Sequence, residues 1–368
     1  MNFDRLTRPC VRNVTPYFPG KPVAEVRREL SLSRVVKLAS NENPYGSSPR
    51  AQAALKRASR ELHRYPEGSS PLLREAFAAL CRVQPSQVVI GSGSDELIRL
   101  LCEVLLSPDD EVVVSQHSFI RFKQHAALMG AKVIEVPMTD WTHDLETMGR
   151  AASARTKLVF VANPNNPTGT YNSRAEILAL LDRLPEQTLL VVDEAYYHYA
   201  ESEADYPRDL PTWVRRRPNL VVLRTFSKAY GLAGSRVGAA VADQELVGWL
   251  DRVRLPFNAG LPAQEAALAA LADKPFLRRC VGAVRRHREA LARRLRGLGL
   301  CVGDSAANFL FVQTPLPGRE LFRRLLEDGV VIRPLDEYGL THHARISVGT
   351  PGENRALVRA LERALEAP

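Results

Sequence analysis

The distribution of apolar and polar positions changes character along the chain. Short, nearly uninterrupted apolar runs recur at 87–90, 111–115, 132–136, 158–162, 189–192, 220–223 and 237–241, with helical patterns between them. Apolar runs that do not alternate suit strands buried on both faces, and strand–helix alternation suits βαβ units. From about Pro262 the pattern becomes a long Ala/Leu/Arg-rich helical stretch. It continues into strand-like 308–312, a helix over 319–327, strand-like 330–332 and 345–348, and a closing helix. The pattern predicts an α/β fold with an N-terminal arm over 1–45, rich in Pro and Gly (Pro16, Pro19, Gly20, Pro22). A large domain over 46–260 would hold a mostly parallel mixed sheet flanked by helices, and a smaller α+β domain would occupy 261–368. Ligands of such folds bind outside the carboxyl ends of the strands, here in a crevice between the two domains.

Composition narrows the function classes. With 25% charged and 45% hydrophobic residues in 368, the chain has ordinary globular usage. The formal charge of +9 raises nucleic-acid binding. However, the arginines are scattered, and sets such as Arg285, Arg286, Arg288, Arg293 and Arg294 read as a solvated helix face. No nucleic-acid partner is expected, whereas small anionic substrates fit the charge. The five cysteines, Cys10, Cys81, Cys102, Cys280 and Cys301, are dispersed without CxxC spacing, which argues against a metal site or a disulfide framework. The first ten residues hold no apolar core, and no apolar stretch approaches the roughly 20 residues that span a bilayer. The expectation is a cytoplasmic protein with no membrane partner.

Four motifs follow strand-like runs. Thr225-Phe226-Ser227-Lys228 leads through Gly231 to Arg236. A lysine sheltered at a strand end loses pKa and gains a nucleophilic neutral amine, and Thr225, Ser227 and Arg236 are groups that bind a phosphate monoester. Asp193 and Tyr196 close the apolar run Val191-Val192; a carboxylate there can keep a pyridine nitrogen protonated. Asn166 lies in Asn163-Pro164-Asn165-Asn166-Pro167-Thr168-Gly169, and Gly91-Ser92-Gly93-Ser94-Asp95 turns a strand into a helix whose N-terminus favours anions. Singly, each has a plainer reading as a turn or a helix cap.

In this order and spacing, the motifs resemble the fold-type-I pyridoxal-5′-phosphate (PLP) dependent transferases of the class II aminotransferase family, and within them the histidinol-phosphate aminotransferases. Further similarity lies in Thr15-Pro16-Tyr17-Phe18-Pro19-Gly20, in Asn41-Glu42-Asn43-Pro44-Tyr45-Gly46, in Arg64-Tyr65-Pro66, and in Tyr338-Gly339-Leu340 with Ala344-Arg345-Ile346-Ser347-Val348-Gly349. The resemblance implies PLP as cofactor. It makes Lys228 the lysine bound covalently to PLP and Asp193 the partner of the ring nitrogen, with Asn166 and Tyr196 at the ring oxygen. Ser94, Ser227 and Arg236, with the Gly93–Asp95 backbone, would hold the cofactor phosphate, and Thr225 would be a further cofactor-binding residue. Tyr65 would reach the phosphate of a neighbouring subunit, so a homodimer is expected. Tyr17, Arg333 and Arg345 would bind the substrate's acidic group.

The implied reaction transfers the amino group of L-histidinol phosphate to 2-oxoglutarate, giving imidazole acetol phosphate and L-glutamate in histidine biosynthesis. An aromatic amino-acid aminotransferase, a threonine-phosphate decarboxylase and a PLP-sensing regulator share the fold. The last needs a DNA-binding domain ahead of the family's first motif, which begins by Thr15. Three departures from the family pattern stand out. Phe119 falls at the position of the ring-stacking aromatic, with His117 as the alternative; Thr341-His342-His343 replaces a proline-containing stretch and reads as a solvated loop or, alternatively, as a feature that alters substrate selection; Ser235 stands where an apolar residue is usual.

Overall fold

The computed structural model describes residues 1–12, 14–16, 23–30 and 34–366. Tyr17 lies outside the described residues. The seven apolar runs form one sheet: β1 Val88–Gly91, β2 Glu111–Ser115, β3 Lys132–Val136, β4 Thr156–Ala162, β5 Leu189–Asp193, β6 Leu220–Thr225 and β7 Gly238–Val241. Their order is β1-β7-β6-β5-β4-β2-β3. The five strands from β6 to β3 run parallel, whereas β7 is antiparallel to both neighbours.

The sheet forms because both faces can be buried. Alternate residues of one strand enter different cores: Val113, Val159, Val161, Leu190, Val192 and Val222 pack on one side. Val112, Val114, Leu158, Phe160, Val191 and Val221 pack on the other. Period-two alternation between two apolar environments leaves no polar face, so the runs read as continuous. Phe160 stacks on Phe122 at 4.7 Å, closing one core against the helix Ile120–Leu128. After β1 the chain turns directly into helix α1, Ser94–Leu105.

The long Ala/Leu/Arg-rich stretch is two helices, α2 Leu261–Ala272 and α3 Lys274–Gly297. Asp273 separates them by accepting from Phe276 N at 3.3 Å, a side-chain cap that starts α3. A second sheet, β8 Cys301–Val302, β9 Phe309–Gln313, β10 Arg333–Leu335 and β11 Leu340–Ser347, is antiparallel in the order β8-β9-β11-β10. It packs its own core of Leu310, Val312, Leu321, Ile346 and Leu357. The expected solvated loop at Thr341-His342-His343 is instead the first half of β11. Its outward positions are exposed, while His343 is half-buried against the Phe311 ring at 4.9 Å, which explains polar residues in a strand. No helix among the described residues is long and apolar enough to cross a membrane.

One buried ion pair ties the active edge of the sheet together. Arg224 on β6 meets Glu194, just beyond β5, at 2.8 Å. Tyr206 Oη donates to the same carboxylate at 3.2 Å, and the guanidinium lies 3.6 Å from the Tyr197 ring centre. Removing one member strands a buried charge, so Glu194→Gln should cost about 3–5 kcal/mol in chemical denaturation. Glu327→Gln, at the exposed Arg323 pair, should leave the denaturation midpoint where it is in wild type. Equal effects would contradict this reading of the buried pair.

Candidate active site

The carboxyl ends of five large-sheet strands, β1, β2, β4, β5 and β6, open onto one cavity of about 270 Å³. Its wall takes Ser94 and Asp95 from the turn after β1, Asn166 from the loop after β4, and Asp193 and Tyr196 from the end of β5. Thr225, Ser227 and Lys228 come from the end of β6. Because β7 runs the other way, its first residue lies at this edge, with Gly238 opposite both Gly91 and Thr225. The reversal delivers Arg236, two residues earlier, to the start of α1.

There a cluster of donors converges. Arg236 Nη1 donates to Ser227 Oγ at 3.4 Å, and Thr225 Oγ1 donates to the same hydroxyl at 3.0 Å. Gly93 has φ +80°, a conformation that favours glycine, and a Cβ on it would lie 2.6 Å from Arg236 Nη2 and push that guanidinium out of the cradle. No side chain caps α1. Its first N–H groups, two hydroxyls and a guanidinium form a donor set suited to a phosphate dianion.

Opposed titrations occupy the centre. Asp193 is 4% exposed, and its Oδ1 accepts from Ala195 N at 3.0 Å. Burial pushes its pKa up to about 7, although that bond and the nearby Lys228 act in the other direction. Lys228 Nζ donates to the Ser40 carbonyl at 3.0 Å. Burial, reinforced by Arg345 and Arg236, pushes its pKa down to about 8 against the pull of Glu42 and Asp193. An amine with a depressed pKa is available as a nucleophile and a base.

The outer wall carries Arg333 and Arg345. Arg345 Nη1 donates to Asn166 Oδ1 and Nη2 to the Ala39 carbonyl at 2.7 Å, while its buried Nε has no partner among the described residues. Arg333 pairs with Glu337 at 2.5 Å. Asp95 lines the cavity, but its carboxylate is engaged by Arg121 at 2.8 Å and His125 at 3.2 Å. Burial raises its pKa, yet these hydrogen bonds dominate and hold it at about 2. Phe119 lines the cavity, whereas His117 does not and bonds instead to the Tyr338 carbonyl. Tyr65 is 82% exposed and stacks on Phe257 at 4.6 Å, outside the cavity.

Sequence reasoning assigned no role to Ser40 or Asn41, which also line the cavity. Asn41 Nδ2 donates to Tyr196 Oη at 2.9 Å, and its backbone N–H donates to Ser347 Oγ at 2.8 Å. The polar run Asn41-Glu42-Asn43 following apolar Leu38-Ala39 was its available signal.

The shifts give a pH prediction for the cofactor-free protein. The native Asp193 carboxyl, with a pKa near 7 against an ordinary 3.8, binds its proton more tightly than in the unfolded chain. Its contribution therefore falls as pH rises through that window. Lys228, at about 8 against 10.5, acts oppositely above pH 8. Wild type should lose roughly 2–4 kcal/mol relative to Asp193→Asn between pH 4 and 7, followed by thermal or denaturant unfolding. A stability difference independent of pH would contradict the assignment.

Comparison with known proteins places this arrangement in a family. The chain matches aminotransferase class I and II over residues 33–361. A histidinol-phosphate aminotransferase of Anaeromyxobacter sp. is 45% identical, covering 98% of this chain and 100% of that protein. Histidinol-phosphate aminotransferase 2 of Carboxydothermus hydrogenoformans is 42% identical, covering 98% and 99%. The crystal structure of histidinol-phosphate aminotransferase from Sinorhizobium meliloti in complex with pyridoxal-5′-phosphate superposes with a TM-score of 0.89 at 29% identity, covering 98% of this chain and 97% of that one. The chain therefore belongs to the aminotransferase class I and II family, and within it to the histidinol-phosphate aminotransferases.

Proposed function

We propose that this aminotransferase binds PLP in the cavity and transfers the amino group of L-histidinol phosphate to 2-oxoglutarate. The observation that carries the reading is one cavity combining a phosphate cradle, a buried carboxylate, an amine of depressed pKa and two arginines. The donor set fits the cofactor. The Gly93 cradle, which a Cβ would fill, suits its phosphate, and a cationic ring nitrogen would offset the cost of burying ionised Asp193. Asn166 and Tyr196 would hold the ring oxygen, and Phe119 would cover the ring face.

Bound PLP supplies an electron-accepting ring that stabilises negative charge at the substrate's Cα. The chain's own residues do the rest. Lys228 would anchor the cofactor, and its Nζ would take the proton from the substrate's Cα and deliver it to the cofactor carbon C4′ that bears the nitrogen, a transfer for which an amine with a pKa near 8 is suited. Asp193 keeps the ring nitrogen protonated. Arg333 and Arg345 bind the acidic group, and the orphaned Nε of Arg345 is one donor still to be satisfied. A guanidinium accepts phosphate and carboxylate alike through two parallel hydrogen bonds, so the same pair serves a phosphate monoester in one half-reaction and a dicarboxylate in the other.

The reading includes a homodimer. Leu62, Tyr65, Leu72, Leu255 and Phe257 are exposed, and the Tyr65–Phe257 stack joins two of their segments. Exposed apolar surface of this kind favours cover by a second copy, which would bring Tyr65 to the partner's cofactor phosphate.

Two outcomes test the proposal. Mixed with the PLP-loaded enzyme, histidinol phosphate should convert the cofactor to pyridoxamine phosphate faster than phenylalanine does, with no carbon dioxide released from threonine phosphate. Faster conversion by phenylalanine would overturn the substrate while leaving the cofactor reading in place. Lys228→Ala should lower the half-reaction rate by at least about 10²–10⁴-fold; a variant within tenfold of wild type would exclude Lys228 as the proton carrier.

A further inference from the structure

The turn between two strands of the small sheet is tied to the large domain's side of the site by one of the residues that depart from the family pattern, two positions before the cavity-lining Phe119. His117 Nδ1 lies 2.9 Å from the Tyr338 carbonyl. A carbonyl only accepts, so Nδ1 carries the proton. Tyr338 closes the short turn Asp336–Tyr338 between β10 and β11, and its neighbour Glu337 is the residue that grips Arg333.

On its other side His117 is fixed to the large sheet. Its carbonyl accepts from Asn165 Nδ2 at 3.0 Å, and Ser118 Oγ donates to Asn165 Oδ1 at 3.0 Å. The segment presenting Phe119 is thereby joined to the loop presenting Asn166. Aromatic neighbours confine the imidazole: its ring centre lies 5.9 Å from that of Trp141, which lies 5.2 Å from His343. His343 is two residues before Arg345 on β11.

We propose that His117 is a positioning residue for Arg333. Its Nδ1–H pins the Asp336–Tyr338 turn to the rigid edge of the large sheet, so that Glu337 holds the Arg333 guanidinium ready for an anionic substrate. The inference rests on the reading of Arg333 as an anion-binding residue. Arginine carries several rotatable bonds, and fixing it before the ligand arrives removes an ordering cost from each binding event. The interaction raises affinity for acidic substrates without touching the reacting atoms. It therefore belongs to KM and not to kcat.

The test compares His117→Phe, which keeps a ring beside Trp141 but has no donor, with His117→Asn, whose amide can donate from nearly the same place. Glutarate, a dicarboxylate that cannot accept an amino group, serves as the probe, and its affinity for the PLP-loaded enzyme is measured by calorimetry. His117→Phe should weaken glutarate binding roughly five- to tenfold, the worth of one hydrogen bond, and raise KM for 2-oxoglutarate in parallel. Its kcat and cofactor absorbance should match wild type, its thermal midpoint should fall by no more than a few degrees for the one part-buried hydrogen bond lost, and His117→Asn should recover most of the lost affinity.

Equal losses of affinity in both variants, or a loss accompanied by a lower kcat, would assign His117 to packing and overturn the proposal. Arg333→Gln separates the two readings. If it loses glutarate affinity while His117→Phe does not, the positioning role falls and the arginine's role stands. If Arg333→Gln binds glutarate like wild type, the arginine's role falls and the positioning role falls with it.

Discussion

Strand β7 enters the sheet against the direction of its neighbours, and the site depends on that reversal. Parallel strands deliver only their carboxyl ends to the cavity edge; one antiparallel strand delivers an amino end. Gly238 pairs with Gly91 on one side and Thr225 on the other, so the hydrogen-bond register of β7 fixes how the Gly93 turn, Ser227 and Arg236 meet. The closeness is demanding. A Cβ on Gly238 would lie 2.6 Å from Ser94 N, which leaves glycine as the residue that lets helix α1 start this near the strand.

The electrostatics follow from the same geometry. Strand ends that are well packed exclude water, and exclusion of water moves an acid and an amine towards their neutral forms. Asp193 rises and Lys228 falls, so their pKa values approach each other and neither is locked into its charge. Glu194, the next residue along, shows the alternative solution. It is buried as deeply as Asp193, but Arg224 and Tyr206 answer its charge, so it serves the frame and Asp193 serves the site. Two adjacent carboxylates thus separate into different tasks through their partners.

Much of this was legible in the sequence because burial on both faces writes strands as plain apolar runs. All seven large-sheet strands lie where those runs are, and Ser94, Asn166, Asp193, Thr225 and Lys228 meet because each follows one of them. Strand direction leaves no such trace: a short run like Gly238–Val241 looks the same in either sense, so the antiparallel placement of β7 emerges only from its pairing. The break at Asp273 did leave a trace, an Asp cap with Pro275 in the first turn of α3 and a change from Ala/Leu-rich to Arg-rich sequence, which the single helical stretch read from the pattern passed over. His342 and His343 looked like a loop because polar residues on the exposed half of an antiparallel strand carry the same polarity as a turn. Asn41 was missed since its partners, Tyr196 and Ser347, lie far away along the chain.

The end of β6 and the residues leading into β7 bring Lys228 and a phosphate cradle to a single cavity. A crystal structure of the protein grown with PLP tests it most directly. The account predicts continuous density between the cofactor and Lys228 Nζ, with the phosphate held by the first N–H groups of α1, Ser227 and Arg236. Density that leaves Lys228 unattached, or a phosphate seated away from the Gly93 turn, would contradict it.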